Sequence, residues 1–156
     1  MRLWRIATET RSYKADDLSG QGAAVNPGRW NEEGQTVVYC APTIAMAVLE
    51  TSAHIDSSGL PLNRFLIAVD IPVEVWSART VMAVSSLPPA WRAIPAGRSS
   101  VAIGSGWWSS SVSAILEVPS AIVPEETTCV LNSRHSDMGK VIATVMRPFE
   151  YDLLFR

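Results

Sequence analysis

Arg29, Tyr39 and Glu50 bring a cation, a phenol and a carboxylate close together in an otherwise glycine-rich or apolar stretch. In Gly28-Arg29-Trp30-Asn31 the glycine lets the backbone turn sharply or approach a ligand closely. A guanidinium placed there can grip a phosphate or carboxylate through two parallel hydrogen bonds. The plainer reading is a surface arginine stacked on a tryptophan. Tyr39 ends a β-branched run. It reads as a core tyrosine with its hydroxyl satisfied at the edge or, in a site, as a ring that stacks on a flat heterocycle. Glu50 follows the apolar run 44–49, which points to a partly desolvated carboxylate and so to a site. Met46, Glu50 and His54 are four apart and share one face of a helix. The plainer reading there is a Glu50–His54 pair at a wet helix end. Ser120 follows Val118-Pro119, which on spacing alone is ordinary loop chemistry.

Other arrangements have weaker support. Cys40, His54 and His135 do not form a nucleophile–base set by spacing. Two histidines and two cysteines scattered this widely make a poor zinc site. Gly20-Gln21-Gly22 and Gly104-Ser105-Gly106 lack the full dinucleotide-binding glycine pattern between a strand and a helix.

The elements that must carry these residues follow from periodicity. Residues 3–6 read as a first strand and 11–26 as polar loop. Residues 36–40 form a β-branched strand. A helix is expected over about 43–55, with Pro42 in its first turn and its first half buried. Phe65, Ile67, Val69 and Ile71 alternate, which predicts a strand over 64–71. Pro88, Pro89 and Pro95 break the middle of the chain into loop or short helix. Residues 104–111 suggest a helical turn or two presenting Trp107 and Trp108. Strands are expected at 114–118, 127–131 and 141–146, and the tail 147–152 packs an aromatic pair onto the body. The fold class is mixed α/β (α+β), one compact strand-rich domain with few helices.

A chain of 156 residues fits one domain with a real core. Thirteen basic and fifteen acidic residues give a net charge of -2, and lysine occurs only at Lys14 and Lys140. Direct nucleic-acid binding is therefore not expected. The uncharged stretch 99–116 has too many serines and glycines for a membrane span. No apolar leader is visible at the N-terminus, and Cys40 and Cys129 read as reduced core thiols rather than a disulfide framework, with a single bridge as the alternative, so a cytoplasmic chain is expected. Six tryptophans and a weakly charged surface make a homodimer the expected assembly.

Taken in order, these residues resemble the RES domain, the toxin half of bacterial RES–Xre toxin–antitoxin pairs. The resemblance spans 1–156. It rests on Leu3-Trp4-Arg5-Ile6, Gly28-Arg29-Trp30-Asn31, Val37-Val38-Tyr39 and Leu49-Glu50, then on Leu87-Pro88-Pro89-Ala90-Trp91-Arg92 and Val118-Pro119-Ser120-Ala121-Ile122-Val123-Pro124. It closes with Leu131-Asn132-Ser133-Arg134-His135 and Pro148-Phe149. The family is named for an arginine, a glutamate and a serine, which fall at Arg29, Glu50 and Ser120. Two departures stand out: Pro27 replaces the first glycine of Gly-Gly-Arg-Trp, and Asn132-Ser133-Arg134-His135-Ser136 replaces Asn-Pro-x-His-Pro.

The resemblance implies a fold similar to ADP-ribosyltransferase toxins and an attack on NAD, as substrate and without a metal or cofactor. NAD would be consumed by hydrolysis or phosphorolysis. The alternatives are transfer of ADP-ribose to a specific host protein, or an inactive module that binds an antitoxin or nucleotide. Glu50 would stabilise the ribosyl cation, Arg29 would hold the pyrophosphate or ribose, and Tyr39 would stack on nicotinamide. Ser120 would donate a hydrogen bond to the nicotinamide ribose or amide. The implied partner is an Xre-family helix-turn-helix antitoxin that covers the cleft and supplies the DNA binding.

Overall fold

A computed structural model describes residues 1–55 and 58–155. Strand β1 (Arg2–Thr8) is followed by a short helix α1 (Gln21–Val25), then strand β2 (Val37–Cys40) and helix α2 (Ile44–Ser52). Strand β3 (Arg64–Asp70), helix α3 (Val73–Ser77) and strand β4 (Thr80–Val81) come next. Two single 3-10 turns, Val84–Ser86 and Pro89–Arg92, lead into helix α4 (Arg98–Ser110). Strands β5 (Ile115–Pro119), β6 (Thr127–Asn132) and β7 (Ile142–Phe149) complete the chain, with 3-10 turns at Ser136–Lys140 and Asp152–Phe155.

The strands form two sheets, in the orders β1-β3-β7 and β2-β6-β5-β4. All pairings are antiparallel except β4 with β5. Between the sheets lies an apolar layer, with Leu3, Ile67 and Val69 from one and Val38, Cys40, Ile115, Cys129 and Leu131 from the other. The expected alternation at 64–71 holds, since Phe65, Ile67, Val69 and Ile71 all pack into this layer. Leu66 and Ala68 are buried too, because β3 is the central strand and has both faces covered.

The four-stranded sheet is also buried on its second face. Val37, Leu116, Val118 and Val130 pack there beneath Trp30, Trp91 and Trp107. The outer face of the three-stranded sheet is covered by α2 and by Tyr151, which pack on Trp4, Ile6 and Leu66. Phe149 and Tyr151 meet edge-to-face with centroids 5.0 Å apart, the aromatic pair expected of the tail. Cys40 and Cys129 are buried, unbridged and opposite one another across β2 and β6. No helix among the described residues is long and apolar enough to cross a membrane.

Several expectations need correction. Residues 11–26 are not all loop: Ala23 and Ala24 favour helix, and left-handed Gly20 admits the turn into α1. Helix α2 begins after Pro42, because Thr43 is its N-cap and accepts from the Met46 amide at 3.1 Å. It ends at Ser52, where the Thr51 and Ser52 hydroxyls bond back to the carbonyls of Ala47 and Leu49. His54 therefore lies beyond the helix and forms no ion pair with Glu50 among the described residues. Burial in the first half of α2 is confined to Met46 and Ala47, while Ile44 is exposed. Helix α4 runs for 13 residues rather than a turn or two. Its serines and glycines are poor helix formers, and the helix is held instead by one buried face, Ser100, Gly104 and Trp107.

Candidate active site

The two sheets meet just before α2. The only bridge joining the sheets among the described residues pairs Trp4 with Ala41, with reciprocal backbone bonds of 2.8 Å. The chain enters α2 directly from that bridge, so the junction fixes where the helix starts. Its far end is tied down by the Tyr151 hydroxyl, which bonds Thr51 Oγ1 at 2.7 Å. Glu50 sits next to that tie, half-buried on the last full turn.

Ser120 reaches Glu50 from the exit of β5. Its hydroxyl donates to Glu50 Oε1 at 2.5 Å and accepts from the amides of Ile122 and Val123, both at 3.1 Å. The Ser120 amide donates to the Glu126 carbonyl at 2.9 Å, closing the loop. Ser120 is itself buried. A hydroxyl has one proton to give, and this one goes to the carboxylate. The hydrogen bond expected from Ser120 to substrate thus meets a proton already committed to Glu50, and Ser120 is placed to orient that carboxylate.

Arg29 is held by a turn rather than by an acid. Its Nη1 donates to the carbonyls of Trp91 at 2.8 Å and Ala93 at 2.9 Å. Burial pulls the Arg29 pKa down, while the negative charge of Glu50 and the nearby Tyr39 oppose that shift. Arg29 and Glu50 therefore feel each other's charge, yet they form no ion pair among the described residues.

Tyr39 braces the turn that carries Arg29. Its hydroxyl accepts from the Trp30 amide at 3.1 Å and donates to Asn31 Oδ1 at 2.8 Å. The ring lies so close to Gly28 that a Cβ there would come within 2.7 Å of it. Desolvation pushes the phenol's pKa far up. Tyr39 as a whole is half-buried.

Two residues of this neighbourhood escaped the first reading as site members. Asn31 is buried at 1% exposure and spends its whole amide on the turn. Its Oδ1 accepts from the Gly28 amide at 2.9 Å, and its Nδ2 serves the carbonyls of Ala23, Glu32 and Gln35. The signal was a small amide beside a tryptophan in Gly28-Arg29-Trp30-Asn31. Arg92 is exposed, its positive charge bears on Arg29, and its Nε donates to the Ala121 carbonyl at 3.3 Å. No signal in its own spacing marked it.

Glu50 thus bonds Ser120 and bears electrostatically on Arg29, and Tyr39 braces the turn that carries Arg29. No cluster of three or more His, Cys, Asp or Glu side chains suited to a metal occurs among the described residues. The fold of the chain has a solved counterpart. It is similar to a chain in the crystal structure of the M. tuberculosis MbcT–MbcA toxin–antitoxin complex, with a TM-score of 0.60 at 17% identity, covering 94% of this chain and 84% of that one. Residues 2–153 match the RES domain. The chain belongs to the RES domain family. It is 49% identical over 150 residues to the Prs ADP-ribosylating toxin of Sphingobium sp. (strain YBL2), covering 96% of this chain and 93% of that protein. It is 37% identical over 148 residues to Toxin Res of Photorhabdus laumondii, covering 94% and 91%. These relatives put it among the family's toxins.

Proposed function

We propose that the protein cleaves the bond between ribose and nicotinamide in NAD and poisons its host by depleting NAD through hydrolysis or phosphorolysis. The observation that carries this reading is the Ser120–Glu50 hydrogen bond of 2.5 Å, made in the electrostatic reach of Arg29. Breaking that glycosidic bond builds positive charge on the ribose, as in other oxocarbenium-like transition states. A carboxylate held still by a hydroxyl and two backbone amides behind it stabilises such charge without having to reorganise. Nicotinamide leaves as a neutral ring because the bound ring was cationic, so no acid is required to protonate it.

In this mechanism Glu50 is the catalytic carboxylate and Ser120 is its positioning residue. Arg29 holds the pyrophosphate or the adjoining ribose. Tyr39 keeps the Arg29 turn in place, and its ring stacks against nicotinamide. Water or phosphate then captures the ribosyl cation. The partner in this reading is an Xre-family helix-turn-helix antitoxin that covers the cleft, with a dimer of the chain inside the complex and the whole acting in the cytoplasm.

A second reading is favoured by one specific likeness. The relative at 49% identity is named an ADP-ribosylating toxin, so the acceptor in this chain can be a protein side chain in place of water. Both readings share the first bond-breaking step. Incubating the purified protein with NAD, with and without phosphate, and then with labelled NAD in cell lysate, separates them. Free ADP-ribose or its 1-phosphate supports depletion, and label fixed on one protein supports transfer. Intact NAD in every arm would refute both.

A further inference from the structure

Arg29 and Arg92 grow from one platform. The two carbonyls that anchor Arg29 belong to Trp91 and Ala93, the residues on either side of Arg92. Arg92 itself is the last residue of the 3-10 turn Pro89–Arg92, whose Trp91 is buried and stacks on Trp30 at 6.3 Å. Its guanidinium carbon lies 6.0 Å from the Trp91 ring centre, and its Nε is tied to the Ala121 carbonyl beside Ser120. Two guanidiniums are thus anchored on one short segment, and each still has donors to offer. Arg29 uses Nη1 alone and Arg92 uses Nε alone among the described residues.

The Arg92 charge disfavours the charged form of Arg29, a repulsion that an anion between them would relieve. Glu50 is the carboxylate that bears on Arg29, and Arg92 has no ion pair among the described residues. The pairing has an excess of positive charge and unused, forked donors, which suits a ligand with two adjacent negative groups. We propose that Arg92 is a second anion-contacting residue, which with Arg29 takes the pyrophosphate of a dinucleotide, one guanidinium to each phosphate. This rests on the reading of the site as an NAD-cleaving one and names the part of the substrate that Arg92 selects.

The variant to make is Arg92→Gln, which keeps a donor for the Ala121 carbonyl and removes the charge. Titration with ADP-ribose, followed by calorimetry, reads binding without turnover. Loss of one charge-assisted contact is expected to weaken ADP-ribose about tenfold or more. With NAD and nicotinamide riboside compared as substrates, the ratio of their kcat/KM values should fall by a similar factor, because only NAD carries a pyrophosphate. Arg92→Lys should recover part of both effects. Unchanged ADP-ribose affinity overturns the inference, and so does an equal loss on both substrates, which would make Arg92 only a fastener of the Ala121 loop. If wild-type protein consumes no NAD, the functional reading fails while the ADP-ribose titration still decides Arg92. Wild-type protein that does not bind ADP-ribose sinks both.

Discussion

Replacing Gly104 by alanine tests how the Arg29 turn is held. Gly104 lies on the buried face of α4, directly against the backbone of Trp30. An added methyl would sit 1.8 Å from the Trp30 carbonyl oxygen and 2.6 Å from its carbon. Ordinary contact starts at 3.4 Å, so helix and turn would have to part by about 1.6 Å (3.4 − 1.8). Backbone is in the way rather than a flexible side-chain tip, so nothing nearby can yield cheaply. Overpacking of this kind costs roughly 1–3 kcal/mol, a lowering of Tm by about 3–10 °C for a chain of this length. Trp30 is joined to Arg29, so the guanidinium moves with it, and a misplacement of about 1 Å at a site can cost about 100-fold in rate. The control is Gly106→Ala in the same helix, where a methyl meets nothing within 4 Å. That change should raise stability by roughly 0.5–1 kcal/mol through helix propensity alone. The assay is a thermal melt of both variants beside NAD consumption. A Gly104→Ala protein that melts with the control and turns over normally would refute the claim that close approach of α4 sets the turn.

Ser120→Ala removes a hydroxyl that bonds Glu50 and receives two amides. It should cost about 1–3 kcal/mol in denaturant melts and lower kcat by about tenfold or more, and a normal kcat would reduce Ser120 to a loop residue. Tyr39→Phe keeps the ring and drops the bonds to Trp30 and Asn31. It should lose about 1–3 kcal/mol and raise KM for NAD as the Arg29 turn loosens; an unchanged melt would exclude a bracing role. Alkaline stability gives a separate check. Burial pushes the Cys40 thiol up to about 12, and Cys129 also lies well above its usual value. Folding therefore retains protons that the unfolded thiols release above about pH 8.5. Stability from these groups is complete below that pH and is lost as pH rises toward about 12, at up to about 1.4 kcal/mol per pH unit for each thiol. Cys40→Ala should flatten that loss between about pH 9 and 11, and a slope identical to wild type would show that the thiol does not titrate on unfolding.

Local pattern reached some parts of this molecule and not others. Residues 64–71 and the Phe149–Tyr151 pair were readable because each buries apolar side chains at a fixed interval. The boundaries of α2 were not, since they depend on how the Thr43, Thr51 and Ser52 hydroxyls choose among nearby backbone groups. Helix α4 was underestimated because Ser and Gly argue against helix locally while tertiary packing of Gly104 and Trp107 overrides them. Helix α3 and strand β4 had too few residues to show a period. The types of the site residues were visible, and so was Glu50 as a partly desolvated acid. Their division of labour was not. That Ser120 bonds Glu50, and that Arg29 hangs on carbonyls of a turn some sixty residues away, are facts of long-range contact with no local signature.

The central claim is that the Glu50 charge, held by Ser120 and faced by Arg29, drives cleavage of NAD. Glu50→Gln tests it most directly, because the amide oxygen can still accept the Ser120 hydroxyl while the charge is gone. Nicotinamide release by wild type and variant should be measured at matched folding, judged by melting temperature and circular dichroism. The account expects release by wild type and a loss of about 100-fold or more in the variant, with Tm within a few degrees. Near wild-type release by a folded Glu50→Gln protein would contradict it.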